Sequence, residues 1–107
     1  MRLLVLLATA CLVGSCAVGP VTPSLVQEMA PSGTLRIGVN YGNPVIAQRN
    51  ASGGEPRGVG PELGRELGRR LGVPVSYVTY DTAGKMADAV RAGAWNVGFL
   101  ATDPARA

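Results

Sequence analysis

The sequence predicts an α/β fold, with a parallel sheet built as β-α-β-α-β over residues 33–107. Three observations predict it. Leu35, Ile37 and Val39 alternate with Arg36, Gly38 and Asn40, the period of two expected of a strand with a buried face. Two further β-rich segments follow, each preceded by a helix-like stretch that ends on glycine. Helices between strands act as crossovers, and right-handed crossovers make the three strands parallel with helices on the faces. With the first strand central, in order 2-1-3, the chain leaves it toward opposite edges. That creates a switch point at the carboxyl ends of the first and third strands, where open α/β sheets bind ligands. Residues 40–44 and 100–106 converge there.

The 107 residues suffice for one domain. Met1-Arg2 and the mostly apolar run to Val13 have the length of a secretory signal core. A membrane span needs about 20 residues, and Gly14, Gly19 and Pro20 close the run early. Val13-Gly14-Ser15-Cys16 resembles the lipobox of bacterial lipoproteins. That resemblance implies lipidation of Cys16 and a lipid anchor on the periplasmic or extracellular face of a membrane, where each buried acyl CH₂ contributes about 0.8 kcal/mol. Cys11 is the weaker candidate, because Ala8-Thr9-Ala10 lacks a large aliphatic residue; a plain signal peptide containing a cysteine is the alternative. The division expected is a signal peptide over 1–15, a tether over 16–32 and the α/β lobe over 33–107. A short helix over 24–29 is marginal alone.

Beyond the first strand, a structureless loop over 41–59 would be unusual in a compact domain. Val45-Ile46-Ala47-Gln48 and Arg57-Gly58-Val59 flank Asn50-Ala51-Ser52-Gly53-Gly54, so a small hairpin is expected. A helix follows over 61–71: Pro61 suits its first position, Glu62 complements the dipole, and Gly72 suits the site just past its end. Leu63, Leu67 and Leu71 mark its expected buried stripe, with Arg65, Glu66, Arg69 and Arg70 toward water. Gly60, Gly64 and Gly68 spell GxxxGxxxG, read in so charged a helix as close packing on a sheet or as glycine-rich composition. Residues 73–80 form the second strand, placed at an edge by Pro74. Asp81-Thr82 caps a helix over 83–92 with Met86, Ala89 and Val90 as its buried face, and Gly93 ends it. Residues 95–101 form the third strand, and 102–107 leave it toward a further helix.

Composition excludes several functions. Ten Lys and Arg against seven Asp and Glu give +3, and the basic residues form no run, so nucleic acid is not an expected partner. The absence of histidine removes Ser-His-Asp and Cys-His catalysis and every histidine-containing metal site. Both cysteines fall in the first sixteen residues, so no structural pair is expected, and neither is a metal or cofactor.

Gly33-Thr34-Leu35-Arg36-Ile37-Gly38-Val39, then Gly58-Val59-Gly60-Pro61-Glu62-Leu63-Gly64-Arg65-Glu66-Leu67, then Ala89-Val90-Arg91-Ala92-Gly93-Ala94-Trp95-Asn96-Val97 and Asp103-Pro104-Ala105-Arg106 occur in order. Together they resemble the amino-terminal lobe of bacterial extracellular solute-binding proteins of family 3, the amino-acid-binding components of ABC importers. The resemblance implies an incomplete periplasmic-binding-protein-like (type II) lobe without enzymatic activity. An amino acid or similar small carboxylate would be the ligand and an ABC transporter permease the protein partner. It makes Arg106 the residue that forks onto the ligand carboxylate, a role suited to a planar guanidinium. Backbone groups of Leu100, Ala101 and Asp103 would hold the ligand beside it, with Asn40, Tyr41 and Asn43 as contacts at the first strand's exit.

The chain also departs from that pattern. Asn43-Pro44-Val45 has no aromatic after the proline, and Glu62 stands where aspartate is usual. A small polar or acidic ligand is therefore expected over an aromatic-clamped cationic one. Members of the family run to well over twice this length, which implies a fragment of a longer product or a degenerate lobe with association-prone edges. A micromolar site needs about −8 kcal/mol, and one charged hydrogen-bonded contact gives roughly 1.5–3 kcal/mol. Tight binding by these residues alone is not expected. Two alternatives use the same fold: a periplasmic enzyme, dehydratase-like or peptidoglycan-acting, and the lobe of a sensor protein. For the enzyme, Glu55, Glu62, Asp81 and Asp103 are the carboxylates, but no pair is spaced to act as acid and base.

Overall fold

A computed structural model describes residues 19–106; the expected signal segment, Cys11 and Cys16 lie outside the described residues. The elements are α1 (Pro23–Met29), β1 (Leu35–Asn40), α2 (Val59–Leu71), β2 (Val75–Tyr80), α3 (Ala83–Ala89) and β3 (Val97–Gly98). Short 3-10 turns follow α3 (Val90–Ala92) and β3 (Pro104–Arg106). The sheet order is β2-β1-β3, with β1 parallel to both neighbours, as the sequence predicts. Leu35 faces Val75 and Asn40 faces Tyr80 across the longer ladder.

Helices cover both faces of β1. Successive strand residues point to opposite sides, and Ile37 and Gly38 show what each side meets. A Cβ on Gly64 would lie 2.5 Å from Ile37 Cδ1, so α2 rests on the Ile37 side. A Cβ on Gly38 would lie 2.8 Å from Met86 Cε and 2.9 Å from Trp95 Cγ, so α3 and the indole cover the other. Trp95 Nε1 donates to the Met86 carbonyl at 2.9 Å, locking the ring to the helix. Leu35, Ile37 and Val39 are accordingly buried, and so are Gly38 and Asn40 on the opposite side.

The face that α2 buries matches the close packing on a sheet offered for its glycines and departs from the expected leucine stripe at Leu63. Its buried residues are Gly60, Pro61, Gly64, Gly68 and Leu71, while Leu63 is 51% exposed. The glycine ridge lets the helix axis approach the sheet to a distance that side chains would forbid. Leu67 and Leu71 flank that ridge, and Leu63, nearer the amino end, is turned out. Val90 is also exposed, at 48%. The chain tightens to a 3-10 turn at Val90, and three residues per turn carry its side chain away from the Met86 face.

β3 is two residues long where the sequence suggests a strand over 95–101. Asn96 replaces part of the ladder with its side chain: Arg36 N donates to Asn96 Oδ1 at 2.9 Å, and Asn96 N donates to Arg36 O at 2.8 Å. Trp95 packs under the sheet instead of extending the strand. The hairpin reduces to one antiparallel bridge, Gln48 to Arg57, closed by a turn with Gly53 and Gly54 at positive φ. α1 is capped by Thr22, whose Oγ1 accepts from Leu25 N at 3.2 Å. Ala30 just beyond α1 is 3% exposed within the main core, with Val26 and Met29 packed against it. The core thus takes in residues that precede the lobe boundary expected at 33.

Candidate ligand site at the carboxyl edge of the sheet

The carboxyl ends of β1 and β3 are adjacent, and the sequence-predicted contacts arise from both. At the β1 exit, Asn40 is 4% exposed. Its Oδ1 accepts from Gly42 N at 2.8 Å, turning the chain sharply. Glycine is required at 42, because a Cβ there would lie 2.8 Å from the Asp81 carbonyl of the loop after β2. Asn43 builds the next turn: its Oδ1 accepts from Val45 N at 3.1 Å, and its carbonyl accepts from Ile46 N and Ala47 N. Tyr41 packs against the core with one ring face toward Arg49, whose Cζ lies 4.2 Å from the ring centroid. Arg49 Nη2 also pairs with Asp81 Oδ1 at 2.5 Å.

At the β3 exit a cleft of about 620 Å³ opens between the end of α3 and the departing chain. Leu100, Ala101 and Asp103 line it, together with Asp88, Arg91 and Trp95. Asp103 Oδ1 accepts from Ala105 N at 2.9 Å, fixing the 3-10 turn that carries Arg106. Arg106 is placed by its backbone in that turn; its side chain lies outside the described residues.

The predicted residues therefore form two groups. Leu100, Ala101 and Asp103 share the cleft; Asn40, Tyr41 and Asn43 belong to the neighbouring exit and do not line it. The amino end of α2 lies between the groups. Gly60 N donates to Ile46 O at 2.9 Å, and a Cβ on Gly60 would lie 3.0 Å from Ile46 Cγ2 and 3.6 Å from Phe99 Cβ. Sequence reasoning missed Arg49, Asp88 and Arg91. Asp88 and Arg91 sit three apart on the exposed side of α3 and its 3-10 extension, a spacing that also describes any solvated face. Nothing in the spacing of Arg49 pairs it with Tyr41.

Of the carboxylates considered for acid–base chemistry, Asp103 lines the cleft, whereas Glu55, Glu62 and Asp81 pair with arginines outside it. Glu55 and Glu62 both pair with Arg65, at 3.0 and 2.7 Å, on the outer face of α2. The hydrogen bond that Arg65 donates to Glu62 is the main cause of a raised Arg65 pKa. Beneath it, burial raises the pKa of Tyr77. Among the described residues no three acidic or sulfur side chains gather as metal ligands. Among the same residues no helix is long and apolar enough to cross a membrane.

No family model matches the chain, and no curated protein matches it. Two solved structures do. One is an ancestral cyclohexadienyl dehydratase, at 24% identity and a TM-score of 0.63, covering 76% of this chain and 34% of that one. The other is an ancestral cationic amino acid solute-binding protein, at 25% identity and a TM-score of 0.63, covering 76% and 35%. The chain thus spans about a third of the length of the structures it matches. With its three-stranded parallel sheet and flanking helices, it has the α/β fold of a partial periplasmic-binding-protein-like lobe.

Proposed function

We propose that this chain is the amino-terminal lobe of an extracytoplasmic solute receptor. It binds an amino acid or similar small carboxylate and delivers it to the permease of an ABC importer. The observation that carries this reading is the 2-1-3 order of the parallel sheet, which sets the β1 and β3 exits side by side at a switch point. The likeness to an ancestral amino acid solute-binding protein supports it at the level of the fold. Arg106 takes the ligand carboxylate, backbone groups of Leu100, Ala101 and Asp103 hold it, and Asn40, Tyr41 and Asn43 complete the polar wall. In this reading Cys16 carries the lipid that keeps the receptor at the outer face of the membrane.

A single lobe offers few contacts, so its affinity is expected near the millimolar level, about −4 kcal/mol. Titration of the chain with amino acids, followed by NMR shifts of the Asn40, Ala101 and Asp103 amides, tests the reading. Shifts that saturate and vanish in Arg106→Ala are the expected result. Equal shifts in Arg106→Ala remove the arginine from the site, and no shift with any amino acid removes the receptor function.

The dehydratase among the matching structures favours a second reading, an enzyme on the same fold. It requires the chain to change the ultraviolet absorbance of a cyclohexadienyl substrate at a rate proportional to protein concentration. Binding of amino acids without such turnover decides for the receptor.

A further inference from the structure

The face of Tyr41 at the β1 exit already carries a cation. Arg49 reaches it from the loop that the Gln48–Arg57 bridge closes, with Cζ 4.2 Å from the ring centroid. The same guanidinium pairs through Nη2 with Asp81 at the β2 exit. Gly42 presses against the Asp81 carbonyl at the same place, so the two exits are tied together under the arginine. Arg49 thus straps β1 to β2 across the Tyr41 ring, at the exit that neighbours the cleft.

We propose that Arg49 sets the charge preference of this site, excluding ligands with cationic side chains and favouring acidic ones. The inference rests on the receptor reading and names the ligand class within it. An ammonium or guanidinium gains from an aromatic face by lying over it, and this face is taken. A cationic ligand would have to displace Arg49 or sit beside a like charge, and a repulsive element of that kind is an effective source of specificity. An acidic side chain meets the opposite situation, because a guanidinium has five N–H donors in a planar fork. Asp81 pairs with one terminal nitrogen of that fork. Asp81 offsets part of the charge seen from a distance, but it does not vacate the ring.

The test is an NMR-monitored titration of the chain with L-glutamate and with L-arginine, in the wild type, Arg49→Gln and Asp81→Asn. Arg49 and Asp81 side chains are 66% and 68% exposed, and an unchanged Trp95 fluorescence spectrum verifies folding. The wild type is expected to prefer glutamate. Arg49→Gln should move the affinity ratio toward arginine by about tenfold, and Asp81→Asn should move it toward glutamate. A wild-type preference for arginine, or a ratio unchanged in both variants while both amino acids still bind, overturns the role of Arg49 and leaves the receptor reading standing. If neither amino acid binds any of the three proteins, the inference fails, and the receptor reading falls with it only if no other amino acid shifts the Asn40, Ala101 and Asp103 amides either.

Discussion

At the scale of single residues, glycines on helices have opposite meanings according to what lies beneath them. Gly64 faces the fully buried Ile37, and an added Cβ would sit 2.5 Å from its Cδ1 and 2.8 Å from its Cγ2. Alanine gains about 1 kcal/mol over glycine in helix propensity, but overpacking a close contact costs about 1–3 kcal/mol. Gly64→Ala is expected to destabilise the fold, with a lower urea midpoint. Gly84 in α3 has nothing within 4 Å of its notional Cβ, so Gly84→Ala should raise the midpoint instead. Glu66 sets a pH dependence. Hydrogen bonds from Arg69 and then Arg70 lower its pKa from 4.5 to about 2. A depressed carboxylate pKa stabilises the fold above the unfolded value, and that contribution is lost as pH falls through the folded one. The stability difference between wild type and Glu66→Gln should therefore be constant above pH 4.5 and shrink toward pH 2, read by denaturation at each pH.

At the scale of elements, β3 depends on a side chain for its start. Asn96 Oδ1 accepts the Arg36 amide that a longer strand would have bonded through its backbone. Asn96→Ala leaves that part-buried donor without its acceptor, at a cost of about 1–3 kcal/mol. Hydrogen exchange at the Arg36 amide should accelerate in this variant, while exchange along the β1–β2 ladder at Ile37 and Val39 changes less. Equal acceleration everywhere would show that Asn96 supports the whole sheet. The helix ends were legible in the chain itself. Gly72 and Gly93 stop α2 and the 3-10 extension of α3 at φ 71° and 65°, and Thr82 Oγ1 accepts from Lys85 N at 3.2 Å. These signals act within a few residues, so no tertiary knowledge was needed to read them. The length of β3 was not legible, because it rests on long-range bonds between residues 36 and 96.

At the scale of the whole molecule, the receptor reading places the lobe at a membrane through Cys16. Cys16→Ser is expected to move the protein from the membrane pellet to the soluble fraction; continued sedimentation with membranes would reject lipidation at that position. The core begins before the lobe boundary that composition suggested, because Ala30 is buried with Leu35, Ile37 and Val39. A Pro-rich stretch with few charges carries no local signal that one small residue at a helix end will be buried.

The sequence by itself determined the α/β class, the central place of β1 and the neighbouring positions of the β1 and β3 exits. Period-two alternation, capping residues and the handedness of crossovers are short-range or general rules that the chain states openly. The tertiary structure alone decided that α2 buries its glycines and turns Leu63 outward, and that Arg49 occupies Tyr41. It also decided that the predicted contacts divide between a cleft and a neighbouring turn. The reason is physical: hydrophobicity says which residues gain from burial, whereas the approach distance between packed elements decides which of them can be buried. That distance was set here by the absent side chains of Gly60, Gly64 and Gly68 against Ile46, Ile37 and Val75.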